Sequence, residues 1–173
     1  MKKIKKLGKV FWITGLSGSG KSATGKRLLP MIERKYGKTV LIHGDDIRSI
    51  YRIKGYEKHE RLSLGKSNSN LCKLLSNQSV NVIFTTVGLI HKLHKYNRKN
   101  IKSYIEIFIK SDIKELVKKK KKNFYVKKKK NVWGLDLKPQ FPTNPHIVIY
   151  NNFSETISTM AKEVYSKIKK ISN

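Results

Sequence analysis

Acidic residues, prolines and thiols are all scarce in this sequence: 11 Asp and Glu stand against 39 Lys and Arg, with four prolines and one cysteine. A single thiol, Cys72, forms no intrachain disulfide, so the chain suits a reducing cytoplasm. Cys72 falls inside a helical pattern and reads as a small core hydrophobe. No apolar run approaches the roughly 20 residues of a membrane helix. The start Met1-Lys2-Lys3-Ile4-Lys5-Lys6 imitates the basic end of a signal peptide, but the apolar run behind it is too short for one. The five histidines are dispersed without metal-ligand spacing, which argues against a zinc centre. There is no internal repeat and no linker rich in Pro, Gly or Ser, so the 173 residues read as one domain, 1–173, around one core.

The net charge of +28 sets up a field that attracts anions. A nucleic acid or an anionic membrane is one explanation. Against it, the lysines are spread along the whole chain, and aromatic residues do not interleave with them as in single-strand-binding grooves. The chain is rich in Lys, Ile and Asn together, as an A/T-rich coding sequence would give. Compositional drift is therefore the stronger reading of the charge, no membrane partner is expected, and a nucleic-acid partner is kept as a rival.

What is present organises around one stretch. The run Val10-Phe11-Trp12-Ile13 leads into Gly15-Leu16-Ser17-Gly18-Ser19-Gly20-Lys21-Ser22, and a helical pattern follows. Gly, four residues, then Gly-Lys-Ser is the phosphate-binding loop in its required strand-before, helix-after context. Glycines let successive backbone N–H groups point inward as an anion nest, and the following helix adds the positive end of its dipole. Lys21 supplies a point charge for the β- and γ-phosphates of ATP, and the Ser22 hydroxyl suits Mg²⁺. A guanine-reading N-K-x-D is absent, which excludes a GTPase switch.

Along the chain, strands are expected over Lys9 to Thr14, Thr39 to Ile42, Asn81 to Thr86, Ser103 to Ile109 and His146 to Tyr150. Helices are expected from Lys21 to about Lys35, with Pro30 inviting a kink, from Glu57 to Asn77, after Asp112, and from Ser154 to Ile171. His91 to Asn100 reads as a loop with a basic segment. Alternating strands and helices give an α/β fold, a five-stranded parallel sheet with helices on both faces. The second strand ends in His43-Gly44-Asp45-Asp46-Ile47-Arg48, at the edge where such sheets place ligands. Asp45 and Asp46 also suit capping of the next helix. The lysine-rich stretch within 118–135 is too charged for a core element and reads as a short basic lid.

Taken together, these residues resemble the adenylylsulfate kinases, which transfer the γ-phosphate of ATP to the 3′-hydroxyl of adenosine 5′-phosphosulfate. The likeness spans about 11–151. Its strongest part is Phe11-Trp12-Ile13-Thr14 running into the phosphate loop, similar to the family's W-x-T-G-L-S-G-S-G-K-S. His43 to Arg48 resembles the family's D-G-D-N-x-R, and Gly55-Tyr56-Glu57-Lys58-His59-Glu60-Arg61 its G-F-S-x-x-D-R. Gly134-Leu135-Asp136 is similar to its G-I-D, and Lys122-Asn123-Phe124-Tyr125 to its K-G-L-Y. The resemblance implies the P-loop NTPase fold and catalytic roles for Asp45, Lys21 and Lys122. It implies ATP held by Gly15, Leu16, Ser17, Gly18, Ser19, Gly20, Lys21 and Ser22, and Mg²⁺ near Ser22 and Asp45. A small anionic nucleotide would be gripped by Arg48, Tyr56, Arg61, Arg98 and Trp133. The sequence leaves a homodimer open.

The chain also departs from the family pattern. Leu64-Gly65-Lys66-Ser67 stands for N-I-R-R, and Thr85 to Ile90 stands for the I-S-P-Y-R loop. Tyr96-Asn97-Arg98-Lys99-Asn100 resembles a variant subgroup, some of whose members act on nucleotides such as cytidine diphosphoramidate. Adenylylsulfate is the leading acceptor on this pattern and cytidine diphosphoramidate the alternative. A basic polyanion-binding protein with a vestigial kinase fold is the rival outside enzymology.

Overall fold

The computed structural model describes residues 6–118 and 132–171. Among them run β1 (Val10–Thr14), α1 (Lys21–Tyr36), β2 (Thr39–His43), α2 (Gly44–Ile50), α3 (Lys58–Asn77), β3 (Asn81–Thr86), α4 (His91–Asn100), β4 (Tyr104–Lys110), α5 (Ile113–Lys118), β5 (Ile147–Tyr150) and α6 (Ile157–Ile171). The five strands form one parallel sheet in the order β2-β3-β1-β4-β5. β1 sits at its centre, with Trp12 registered between Phe84 and Glu106, and every β1 residue is buried.

Successive strand residues face opposite sides, and the two faces gather different partners. Val10 and Trp12 join Val82, Phe84, Cys72 and Leu93, beneath α3 and α4. Trp12 stacks on Phe84 with ring centroids 4.6 Å apart. Phe11 and Ile13 join Leu28 and Ile32 of α1 and Met160, Val164 and Ile168 of α6 on the other face. Cys72 is fully buried, and burial pushes its thiol up to about 12, so it is an inert core group.

Local signals explain most boundaries. α3 starts with a capping box, in which the Glu57 N–H donates to Glu60 Oε2 at 2.8 Å. α1 runs through Pro30 to Tyr36. Pro30 and Lys26 are both exposed, so the carbonyl that loses its partner at Lys26 faces water rather than the core.

The segment read as a basic loop is a helix, α4, and its buried face explains why no apolar period marks it. That face carries Leu93, His94 and Asn97. His94 Nδ1 lies 2.6 Å from Oε1 of Glu106, a carboxylate wholly buried in the middle of β4, and Arg98 pairs with its Oε2. Tyr104 adds a hydrogen bond to Glu106, and Asn97 Nδ2 donates to the Tyr104 hydroxyl. Burial pushes the Glu106 carboxyl up, but hydrogen bonds from His94 and Arg98 outweigh it and hold the group below its ordinary value.

Candidate active site

The phosphate loop leaves the buried end of β1 and is held from below. Gly15 has φ +153°, and a Cβ there would lie 2.3 Å from the Ile109 carbonyl oxygen on β4, so only glycine fits this close approach. Gly20 caps α1 in the left-handed region, with φ +95°. Asn151 Nδ2, just beyond β5, donates to the Ser19 carbonyl at 2.9 Å. Lys21 is nearly buried and folds back over the loop, its Nζ donating to the Leu16 carbonyl at 2.7 Å.

Ser22 lies in the first turn of α1, with its Oγ 3.5 Å from Thr85 Oγ1, which in turn lies 2.7 Å from His43 Nδ1. The start of α1 and the ends of β2 and β3 thus meet through three polar side chains. Thr85 is not marked by any sequence motif; it enters because β3 lies between β1 and β2. Among the described residues no cluster of three or more His, Cys, Asp and Glu forms a metal cage. Hydroxyl and carboxylate oxygens in small number suit Mg²⁺, which keeps water and phosphate oxygens in its shell.

A cleft of about 470 Å³ opens beside the loop. Ser17 of the loop, Asp45 and Arg48 of α2, Tyr56, Arg61 of α3 and Trp133 all line it. Asp45 is exposed in the first turn of α2, whose N-cap is His43; neither Asp45 nor Asp46 makes the side-chain cap. The Arg48 guanidinium donates to the Gly55 carbonyl at 2.7 Å, and Arg61 Nε to the Tyr56 carbonyl at 2.6 Å. Both guanidiniums lie against Tyr56, and Arg61 also lies 5.5 Å from the Trp133 ring. Burial first, and the neighbouring Arg48 charge second, hold the Arg61 pKa below its ordinary value. Two crowded cations beside two aromatic rings have the chemistry to receive a planar anionic group. Among the described residues no helix is long and apolar enough to cross a membrane.

One expected site residue stands elsewhere, and another is outside the described residues. Arg98 does not line the cleft. Its guanidinium is spent on the buried Glu106 carboxylate and the Asn144 carbonyl, because an isolated carboxylate inside the sheet needs that charge. Lys122 and most of the lid lie outside the described residues. The described end of that stretch folds as a tight turn, with Asp136 Oδ1 accepting from the Val132 N–H at 2.6 Å and Gly134 N–H donating to the Leu137 carbonyl at 2.8 Å. It brings Val132 and Trp133 to the cleft.

A family model for adenylylsulphate kinase matches residues 7–150. The chain belongs to the adenylylsulfate kinase family. That family is one of ATP-dependent phosphotransferases. The chain is similar to cytidine diphosphoramidate kinase of Campylobacter jejuni, 34% identical over 101 residues, which is 58% of this chain and 59% of that one. It is also similar to a probable adenylyl-sulfate kinase of Archaeoglobus fulgidus, 28% identical over 145 residues, 81% of this chain and 94% of that one. Among solved structures, the Mycobacterium tuberculosis APS kinase CysC in complex with AMPPNP and APS matches with a TM-score of 0.85 at 22% identity, covering 95% of this chain and 99% of that one. That match shows the fold, a P-loop kinase sheet with flanking helices.

Proposed function

We propose that this protein is an ATP-dependent kinase that phosphorylates a ribose hydroxyl of a small anionic nucleotide. The observation that carries the reading is the shared cleft. Ser17 of the phosphate loop and the Asp45 carboxylate line it together with the Arg48–Tyr56–Arg61 cluster. ATP would lie with its β- and γ-phosphates on the loop N–H groups and Lys21. Asp45 would orient the attacking hydroxyl and accept its proton, while Arg48 and Arg61 hold the acceptor's acidic groups. Ser22 and Asp45 would hold Mg²⁺, which when bound neutralises charge between the β- and γ-phosphates. The rest is positioning by this chain's own residues, with Lys122 in the lid as a further cation for the moving phosphoryl group.

Of the two acceptors, we favour cytidine diphosphoramidate. The resemblance pattern alone puts adenylylsulfate first. The similarity to the Campylobacter jejuni enzyme, together with Leu64 to Ser67 standing where the family has N-I-R-R, supports the reverse order. An assay of ADP release with ATP and either acceptor, run beside plain nucleotides, tests both points. Turnover is expected with cytidine diphosphoramidate above adenylylsulfate. Turnover with adenylylsulfate alone would reverse the acceptor order, and turnover with neither, alongside salt-sensitive binding to RNA, would favour the polyanion-binding rival.

A further inference from the structure

Four asparagines are buried among the described residues, and three of them are accounted for. Asn81 ties Lys9 to the end of α1, Asn97 bridges Ser69 and Tyr104, and Asn151 holds the phosphate loop through Ser19. Asn68 is the fourth. It is 95% buried on α3, and its carboxamide has no hydrogen-bond partner among the described residues. Its polar atoms are not sealed in the core but sit at the cleft surface, where they can meet a ligand. Asn68 lines the cleft.

Its setting defines what it faces. Arg61, Leu64, Gly65 and Asn68 recur at i, i+3, i+4 and i+7, so one face of α3 forms that wall of the cleft. Arg61 supplies the charge beside Tyr56, Leu64 and Gly65 the apolar surface, and Asn68 a polar group that ends the stripe. Gly65 has no room for a side chain, since a Cβ there would come 2.6 Å from Leu93 Cδ2. α3 and α4 therefore close tightly against each other at the apolar wall, with Leu93 and Ile90 also lining it. An apolar wall that ends in a carboxamide suits a nucleobase, because the amide offers a donor and an acceptor side by side.

We propose that Asn68 is the residue that reads the acceptor's base, pairing its carboxamide with an edge that carries a ring nitrogen beside an amino group, as cytosine and adenine do. The inference rests on the kinase reading above and adds its base-recognition contact. Because the amide makes no hydrogen bond within the described protein, replacing it with an apolar group of similar size breaks none in the free protein and removes a contact only in the complex.

Calorimetric titration of CDP, AMP and ribose 5-phosphate into wild type, Asn68→Leu and Asn68→Ala, with a thermal melt of each protein, tests this. The expected result is an acceptor-nucleotide Kd raised about tenfold to a hundredfold in both variants. Ribose 5-phosphate binding should be unchanged, and the Asn68→Leu melting temperature close to that of wild type. Unchanged nucleotide affinity, or equal weakening for ribose 5-phosphate, in a variant that melts like wild type would overturn the role of Asn68 alone. Asn68→Ala keeps the binding test open should the larger side chain fold poorly. A wild-type protein that binds neither nucleotide would overturn the kinase reading and this inference with it.

Discussion

The Arg48 guanidinium carbon lies 4.5 Å from the centre of the Tyr56 ring, while Arg61 approaches the same ring to 5.2 Å. Two cations thus share one aromatic ring at the mouth of the cleft, each already fixed by a backbone carbonyl. Their mutual repulsion is relieved when an anion enters. If this cleft receives the acceptor as proposed, removing one should cost the acceptor far more than ATP. Arg48→Ala is expected to raise the acceptor KM about tenfold to a hundredfold, the loss of a charge-assisted hydrogen bond, with ATP KM nearly unchanged. Steady-state kinetics with each substrate varied in turn checks it. Arg48→Lys should not restore affinity, because an ammonium lacks the planar fork that fits an acidic group and stacks on a ring.

Lys21 has a different signature. Its Nζ already sits over the loop on the Leu16 carbonyl, so the charge is in place before ATP arrives. It is needed most when charge shifts on the γ-phosphate. Lys21→Ala is expected to lower kcat by about 10²–10³-fold or more, with the fold intact in a circular dichroism melt. Near-wild-type turnover in that variant would remove the phosphate-loop assignment.

The buried Glu106 network predicts an acid limit on stability. The carboxyl is held below its ordinary value of 4.5, so its contribution is fully present above that pH and is lost as pH falls through the lower folded-state value. Urea unfolding between pH 6 and pH 3 should show wild type losing stability at the acid end. Glu106→Gln removes the charge that Arg98 and His94 answer, and at neutral pH is expected to cost about 3 kcal/mol or more. Its stability should then vary less across the acid range than that of wild type. Equal slopes for both proteins would place the acid sensitivity elsewhere.

This network also shows where sequence reading stops. The strands around the phosphate loop were legible because β1, β3 and β5 are apolar runs of strand length, and α6 carries its apolar stripe at Met160, Ala161, Val164 and Ile168. α4 was not, since its core contacts are His94 and Asn97, polar residues whose burial depends on a glutamate on another strand. Arg98 carried the signal of a substrate-gripping arginine, and only the position of Glu106 beneath it reveals its structural partner. Ser17, Asp45, Arg48, Tyr56, Arg61 and Trp133 were legible as motif residues, and the parallel sheet brings them to one cleft. Asn68 and Thr85 belong to no motif; both are marked by where β3 and α3 pass the loop.

Two glycines with positive φ separate the cost of strain from the cost of contact. Gly37 ends α1 at φ +86°, and a methyl group added to its Cα would meet nothing within 4 Å. Gly37→Ala therefore brings backbone strain alone, about 1–3 kcal/mol, and should leave catalysis unchanged. Gly15 combines φ +153° with a Cβ position 2.3 Å from the Ile109 carbonyl oxygen, which belongs to the sheet backbone and has no side chain to swing aside. Gly15→Ala must push the phosphate loop off β4 or displace the strand. It is expected to cost about 2–4 kcal/mol and to raise ATP KM at the same time, because the loop that shifts is the one proposed to hold the phosphates. Chemical denaturation and ATP kinetics on the two variants side by side check both effects. A Gly15→Ala protein as stable and as active as Gly37→Ala would mean that the loop does not need its close seat on β4.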